Sequence, residues 1–379
     1  MGLTPRQATL ILAALAALDL AGCATSGVKP PELASTSSSA EGRAVLMEPV
    51  RVQANPDPLT GLETFDAGDL LERANALFDG KEFDHSIKVY ERLVEVFPTS
   101  SLVPSALYNA GLAFEQLEQH GLALERYQRV IKSFPDSTSA KDAYYRQSLC
   151  LSKLRRWKEV ADAYWAIRQR GELTAMDELE ARVGMAIAMF MQDDYATAER
   201  EFMSAVRFYE SKTKDQYLPA DYWVAQARFY LGEINARQFE ALKLDPPEGD
   251  TGAWAEKMGR KLEEKCDLLL RAQNNFIRTI RVGHTGWATA AGFRIGSLYE
   301  RLYDDLLSVP VPPAFDDEAK EYYRKEVRQR IAVLVSKAVQ IYERSLDMAE
   351  RVGEKNEWVE RTARSLERMK TLALESIRG

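Results

Sequence analysis

An internal repeat constrains the fold of this chain of 379 residues more than any other feature. The segment YERLVEVFPTS at 90–100 returns 37 residues later as YQRVIKSFPDS at 127–137. The segments ALYNAGLAF at 106–114 and AYYRQSLCL at 143–151 also match each other. A repeat of this length is one supersecondary unit that cannot bury its apolar face alone, so we expect successive copies to stack.

Each copy has the apolar spacing of two helices. Residues at i, i+4 and i+7 lie on one face of a helix. The residues with this spacing are Leu107, Gly111 and Phe114 in one segment and Ala123, Tyr127 and Val130 in the next. Because Gly111 and Ala123 are small, the two helices can approach each other closely at these positions. Pro135 ends the second helix, since proline cannot continue it.

These positions resemble the tetratricopeptide repeat (TPR), with the best copy at 104–137. Further copies lie at 68–98, 142–169 and 181–209. The resemblance implies an all-α fold, a TPR-like α-solenoid of tandem helical hairpins, with its repeats at 66–209. We interpret the aromatic residues at equivalent positions as core residues rather than a ligand cage: Tyr90, Tyr127, Tyr164 and Phe202.

Residues 210–379 keep helical patterns but lose the period, which predicts a divergent TPR-like helical region. From Asp316 to about Val352 there is neither Pro nor Gly, so we expect a single helix roughly 54 Å long. Gly353 can end this helix in a left-handed cap, and Asn356 can start the last helix.

Two segments of this region resemble TPR proteins of the delta-proteobacterial envelope, including some tied to gliding motility. They are WATAAGFRIGSLYE at 287–300 and KAVQIYERSLDMAERVGEKNEWV at 337–359. The N-terminal repeats also look like those of outer-membrane assembly lipoproteins of the BamD type. Both resemblances imply a protein that binds other proteins at the cell envelope.

The N-terminus has the layout of a secretory signal peptide, predicted over residues 1–22. Arg6 precedes the apolar residues 8–18, which are too few to span a bilayer. The sequence LAGC at 20–23 resembles the lipobox of bacterial lipoproteins, which implies lipidation of Cys23. The alternatives are an ordinary signal peptide with an incidental cysteine and an uncleaved hydrophobic arm.

The residues after the cysteine predict the location of the protein and the nature of its link to the membrane. Ala24 rather than Asp implies, by the same resemblance, an outer-membrane location facing the periplasm. Ser, Thr, Pro and Gly are frequent over 23–65, which predicts a flexible tether. Asp19 is an unusual charge within the apolar segment and could slow processing.

Composition and motifs argue against catalysis and against nucleic acid as a partner. The net charge is −7, whereas nucleic-acid binding favours a basic protein. His85, His120 and His284 do not have metal-ligand spacing, and motifs for a nucleophile elbow, a phosphate loop or a dinucleotide site do not occur. We expect no enzyme activity, no cofactor and no metal. Cys150 and Cys266 could form a disulfide or could be separate buried residues.

By resemblance to peptide-binding TPRs, six residues are expected on the inner face of the stack. They are Tyr108, Asn109, Leu112, Tyr145, Arg146 and Leu149. Asn109 and Arg146 match two positions of the carboxylate clamp that holds a C-terminal peptide, but Asp142 stands where the clamp has a base. The alternative is that these polar residues are simply solvated.

Three functions remain open from the sequence. The first is a non-enzymatic scaffold that docks protein partners of an envelope machine, with gliding motility as a candidate. The second is a BamD-like accessory of outer-membrane protein assembly. The third is an enzyme of peptidoglycan with an unrecognised site in the divergent half. The partner and the oligomeric state are not predicted.

Overall fold

The computed structural model describes residues 51–54, 62–171, 173–214, 218–219, 221–244, 251–311 and 316–378. These residues form thirteen helices and one hairpin of two strands, which confirms the predicted all-α class with tandem helical hairpins. The signal peptide, the Cys23 lipidation site and most of the predicted tether lie outside the described residues.

The elements fall into two compact units that divide between Asp194 and Tyr195. In the first unit they are β1 (Arg51–Ala54), β2 (Leu62–Phe65), α1 (Ala67–Asp79), α2 (Phe83–Val96), α3 (Val103–Gln116), α4 (His120–Ser133), α5 (Thr138–Lys153), α6 (Trp157–Gln169) and α7 (Ala175–Phe190). In the second unit they are α8 (Tyr195–Lys212), α9 (Asp221–Ala241), α10 (Thr251–Val282), α11 (Thr285–Leu307), α12 (Asp317–Val352) and α13 (Glu357–Arg378).

The hairpin β1–β2 lies within the segment that the sequence assigns to the flexible tether. Its strands are antiparallel, with Arg51 opposite Phe65. The ring of Phe65 packs edge-on against Phe97 at 6.0 Å, and the guanidinium of Arg92 lies over it at 5.7 Å. An apolar contact with the first repeat therefore holds the end of this segment against the helical body.

Helices of the first unit alternate between first helices (α1, α3, α5 and α7) and second helices (α2, α4 and α6), and each packs against the next. The turn after each first helix contains one residue other than glycine with positive φ. These residues are Lys81, Glu118, Arg155 and Asp193. Each turn is closed by a backbone hydrogen bond such as the one from Gln119 to Phe114, 2.9 Å long. The near-constant spacing of these turns reproduces the period of the sequence.

In the second unit, α9, α11 and α13 are the first helices and α10 and α12 are the second helices. The boundary drawn from the sequence at 209/210 falls inside α8, which packs against α9. The long helix predicted from Asp316 to Val352 is confirmed as α12, and Gly353 follows it with a φ of 68°. The predicted cap of the last helix is also confirmed, because Asn356 accepts a hydrogen bond from the amide of Val359 at 3.0 Å.

Glycines of the helices mark the closest approaches in both units. A Cβ at Gly111 would lie 2.5 Å from the ring of Tyr127, as expected from the sequence. The equivalent contacts in the second unit are Gly232 with Phe276 and Gly296 with Tyr342, whereas Gly184 meets Tyr164 of the preceding second helix. Of the four aromatic residues predicted as core, Tyr90, Tyr127 and Phe202 are fully buried and Tyr164 is half-buried.

Both cysteines of the helical body are free thiols. Burial raises the pKa of Cys150 to about 12 and that of Cys266 to about 11. Thiols with such pKa values are poor nucleophiles, since the thiolate is the reactive form. Each therefore acts as a small packing residue, one of the two alternatives that the sequence leaves open.

Candidate partner-binding surface

Successive first helices of the first unit are joined by polar side chains, and we call the surface that carries these contacts the first-helix face. Between α1 and α3, Asn109 donates a hydrogen bond of 3.0 Å to the side-chain oxygen of Asn75. The same oxygen accepts from the hydroxyl of Tyr90 at 2.7 Å. The amide of Asn109 is thus part of the packing between two repeats.

A second contact joins α3 to α5. The hydroxyl of Tyr127 donates to Glu115, and Arg146 donates to the other oxygen of Glu115 at 3.3 Å. Burial disfavours the charge of Arg146, but the neighbouring Glu115 carboxylate keeps the pKa of Arg146 above the ordinary value. Tyr108 lies beside this group, with its ring 5.6 Å from that of Tyr127, and burial raises its pKa.

The polar residues that match the carboxylate clamp are therefore engaged within the fold. Asn109 bonds to Asn75, and the positive charge of Arg146 is compensated by Glu115. A peptide carboxylate at Arg146 would have to share the guanidinium with Glu115. We conclude that the first-helix face offers contact area at these positions rather than a free cation.

The six residues expected on the inner face differ in exposure. Leu149 is 40% exposed, whereas the other five are half-buried: Tyr108, Asn109, Leu112, Tyr145 and Arg146. Tyr145 also takes part in the contact between α5 and α7, where its hydroxyl donates to the carbonyl of Asp177 at 3.4 Å. The apolar members of the set, Leu112 and Leu149, follow each other at the repeat distance on α3 and α5.

Acidic side chains flank this surface at α5 and α7. Asp177 pairs with Lys141 at 2.6 Å and closes the capping box of α7 with Thr174. Burial raises the pKa of Glu180 to about 7, and the charge of Asp177 adds to the effect. Burial also raises the pKa of Asp142. Burial is the main cause of both shifts, so these carboxyl groups hold their protons more readily than exposed ones.

The second unit has the same kind of contact between its first helices. Arg294 on α11 reaches back to two carboxylates of α9, Glu233 and Glu240, the latter at 2.9 Å. Arg368 on α13 reaches back to Glu300 and to Asp304, the latter at 2.9 Å. These ion pairs fix the spacing of α9, α11 and α13.

Sequence analysis did not predict these ion pairs between first helices, although a short sequence pattern is shared by two of the sites. GLAFE at 111–115 and GSLYE at 296–300 share a glycine and a glutamate four residues apart. In both units the glycine contacts a tyrosine of the second helix, and that tyrosine donates to the glutamate. An arginine of the next first helix pairs with the glutamate as well.

Aromatic side chains gather where the first helices of the second unit begin. We call Tyr222, Trp287, Trp358 and Arg361 the aromatic edge. The ring of Tyr222 lies 5.8 Å from that of Trp287, and Phe229 lies between the two tryptophans, 5.1 Å from Trp287 and 6.5 Å from Trp358. Tyr222 is 41% exposed and both tryptophans are half-buried. The guanidinium of Arg361 is stacked on Trp358 at 4.7 Å.

A fully buried lysine stands apart from these surfaces. Lys265 on α10 donates to the carbonyls of Phe239 and Leu242, both at 2.7 Å, and pairs with Asp305 at 2.9 Å. These carbonyls end α9, where a positive charge is favourable. Burial lowers the pKa of Lys265. We assign Lys265 a structural role, because its ammonium group already has three oxygen partners, the two carbonyls and the Asp305 carboxylate.

Two features of the described residues bear on other functions. Among these residues, no three His, Cys, Asp or Glu side chains are grouped so that they could hold a metal ion. No helix in the described part of the chain has the length and apolarity needed to cross a membrane. His284, one of the three histidines, caps the start of α11 by accepting from the amide of Trp287 at 3.3 Å.

Comparison with known families agrees with the geometry of the repeats. Residues 105–137 match the tetratricopeptide repeat family. This TPR spans α3 and α4, the helical pair that contains the Gly111–Tyr127 contact. Comparison with curated proteins gives no match.

Solved TPR structures resemble the chain at low sequence identity. YrrB, described as a TPR protein with an unusual peptide-binding site, is 16% identical over 55% of this chain and 86% of its own, with a TM-score of 0.37. MamA from Desulfovibrio magneticus RS-1 is 14% identical over 53% of this chain and 94% of its own, with a TM-score of 0.36. A TPR protein from Parabacteroides merdae is 11% identical over 82% of this chain and 98% of its own, with a TM-score of 0.37.

Proposed function

We propose that this protein is a non-enzymatic, lipid-anchored TPR scaffold that docks protein partners of a cell-envelope machine, with the gliding machinery as the candidate machine. The observation that carries the proposal is the first-helix face. The successive helices that carry its half-buried tyrosines and its exposed leucine are joined by polar contacts. A surface that is ordered before binding loses little conformational entropy when a partner arrives.

The residues of this surface that can contact a partner are those that present aromatic or aliphatic area. Asn109 and Arg146 are engaged with Asn75 and Glu115. The remaining members of the predicted set, Tyr108, Leu112, Tyr145 and Leu149, supply aromatic and aliphatic area. Tyrosine is frequent at binding hot spots because it gives a large contact area at a low entropic cost.

The anchor is the second part of the proposal and is supported by the sequence alone. The LAGC sequence follows an apolar segment and places Cys23 where a lipoprotein carries its diacylglycerol. Ala24 favours the periplasmic face of the outer membrane. Several acyl chains give stable anchoring, at about 0.8 kcal/mol for each buried CH₂ group.

Cys23→Ser tests the anchor. The variant should move from the membrane fraction to the soluble fraction or remain unprocessed, and mass spectrometry should show no lipid on it. A variant that stays with the membrane like the natural protein, when the natural protein also carries no lipid, would contradict the proposal.

Affinity capture from envelope extracts tests the docking surface. Leu149→Ser combined with Tyr145→Ala should lose partners that the natural chain captures, while circular dichroism shows the same helicity. Leu122→Ser is the matched control, because Leu122 is 39% exposed but lies on the second helix α4. Equal capture by the double variant and the control would remove the first-helix face as the docking surface.

The identity of the captured partner separates the two envelope readings. Proteins of a motility machine would support the scaffold, whereas a barrel-assembly protein would support a BamD-like accessory. Hydrolysis of peptidoglycan by the purified chain would favour the enzymatic alternative over both.

A further inference from the structure

At and beside the aromatic edge of the second unit, two buried polar atoms have no hydrogen-bond partner among the described residues. They are the side-chain oxygen of Gln226 and the indole nitrogen of Trp287. Gln226 is only 9% exposed. A buried polar group without a partner is costly, about 1–3 kcal/mol, and such groups are uncommon in folded proteins.

These two atoms belong to one place in the fold. Gln226 lies one helical turn from Tyr222 and one from Tyr230, so the three residues share a face of α9. Both tyrosine rings lie near Trp287 of α11, at 5.8 Å and 6.4 Å between ring centroids. The face of α9 that carries Gln226 is therefore the face that Trp287 packs against.

The pair is one acceptor and one donor. The Gln226 oxygen can only accept a hydrogen bond and the Trp287 N–H can only donate one. A peptide backbone offers the complementary pair, an N–H and a C=O, on every residue other than proline. Because both atoms are buried, a ligand reaches them only when neighbouring side chains move, and Tyr222 is the exposed ring beside Trp287.

The rest of the aromatic edge adds charge to this pattern. The Arg361 guanidinium lies over two adjacent rings, Trp358 at 4.7 Å and Phe293 at 4.8 Å. Its side chain is exposed, and the described residues give it no carboxylate partner. By contrast, Arg294 and Arg368, which also lie on first helices of this unit, are compensated by carboxylates. Arg361 therefore leaves a positive charge on an aromatic surface, which is complementary to a carboxylate.

We propose that the aromatic edge binds an extended segment of a partner protein that carries an apolar side chain and, a few residues away, an acidic side chain. The apolar side chain packs on Tyr222 and Trp287, its backbone pairs with Gln226 and the Trp287 N–H, and the acidic side chain reaches Arg361. This inference rests on the proposed function, since it names the segment by which a partner is held. It places that segment on the second unit rather than on the first-helix face.

Selection from a phage-displayed library of random 12-residue peptides on the purified full chain tests the proposal. The enriched peptides should contain an aromatic or aliphatic residue near Asp or Glu. Arg361→Glu should weaken their binding at least tenfold, and Trp287→Phe, which removes the N–H donor and reduces the indole to a single ring, should weaken it several-fold. Arg278→Glu on the second helix α10 is the matched control, because Arg278 is also exposed.

Charge reversal in the peptide completes the experiment. Replacing its acidic residue by Lys should abolish binding to the natural chain and restore binding to the Arg361→Glu variant. Peptides that bind the Arg361→Glu variant and the natural chain equally, or a selection in which no acidic and apolar pattern emerges, would overturn the proposal. In that case partner capture that still depends on Leu149 and Tyr145 would leave the proposed function standing.

Discussion

The hydroxyl of Tyr342 donates a hydrogen bond of 2.7 Å to Glu300, on the same helix against which its ring packs. The ring itself lies over Gly296, one turn before Glu300. Tyr127 has this relationship with Gly111 and Glu115 in the first unit. The two units therefore pack a first helix against a second helix through the same contact of glycine, tyrosine and glutamate, although their helices differ in length.

Substitution of these glycines should destabilise each unit. Gly111→Ala places a Cβ 2.5 Å from the ring of Tyr127, and Gly296→Ala meets Tyr342 in the same way. Because the rings are buried and hydrogen-bonded, we expect each variant to lose about 1–3 kcal/mol in the free energy of unfolding, measured by urea titration.

The chain offers a control of opposite sign for each glycine. A Cβ at Gly121 in α4 or at Gly259 in α10 meets nothing within 4 Å. Alanine at these helical positions should stabilise by about 0.5–1 kcal/mol through its higher helix propensity. A Gly111→Ala variant as stable as Gly121→Ala would mean that the repeat does not have its closest approach there.

Removal of the buried lysine should be among the most damaging single changes in the second unit. Lys265→Met leaves two carbonyls at the end of α9 without donors and removes the ammonium partner of Asp305. We expect a loss of about 3–5 kcal/mol in the free energy of unfolding, seen as a lower urea midpoint. Lys257→Met on the exposed face of the same helix should have little effect, and equal losses for both would contradict the assigned role.

Glu180 predicts a pH dependence for the first unit. Its pKa of about 7 in the folded protein exceeds the ordinary value of 4.5, so the folded state holds more protons than the unfolded state between these pH values. The free energy of unfolding should therefore fall as the pH rises through this window, by about 1–3 kcal/mol from this group. Urea titrations at pH 4.5 and pH 7.5 measure the fall.

Glu180→Gln should remove this part of the pH dependence and should be more stable than the natural chain at pH 7.5. Glu95→Gln is the matched control, because Glu95 is exposed on α2 of the same unit. A pH dependence that Glu180→Gln leaves unchanged would show that Glu180 ionises normally.

The thiols of the helical body should be protected from alkylation. Because the pKa values of Cys150 and Cys266 are about 12 and about 11, almost no thiolate is present at pH 8. Iodoacetamide should modify neither residue in the native protein within the time in which it modifies a free cysteine, and both should react in guanidinium chloride. Rapid modification of Cys150 in the native state would contradict its burial.

The sequence predicts the parts of the fold that depend on local spacing. Gly111 and Tyr127 lie 16 residues apart within one repeat, so the helical pattern alone places them at the crossing. The long α12 and the Asn356 cap follow from the absence of helix breakers and from one capping side chain. These features need no knowledge of distant neighbours.

Contacts between repeats are harder to read from the sequence. The role of Arg146 depends on Glu115 in the preceding repeat, so a match to clamp positions suggests a free cation where the fold has an ion pair. Gly296 and Tyr342 are 46 residues apart because α11 and α12 are longer than the helices of the first unit. The added helical turns change the sequence spacing between repeats, but the contact between the first and the second helix is the same.

The tight connections of the second unit follow its second helices, at Gly283 and Gly353, whereas those of the first unit follow its first helices. Because tight connections precede α11 and α13, changes of length at the ends of α9 and α11 are expected to leave Trp287 and Trp358 in place. A tag inserted between Leu244 and Thr251 is therefore expected to leave the aromatic edge in place. Lineages that share this protein are expected to differ most in length at those two connections while they keep the rings.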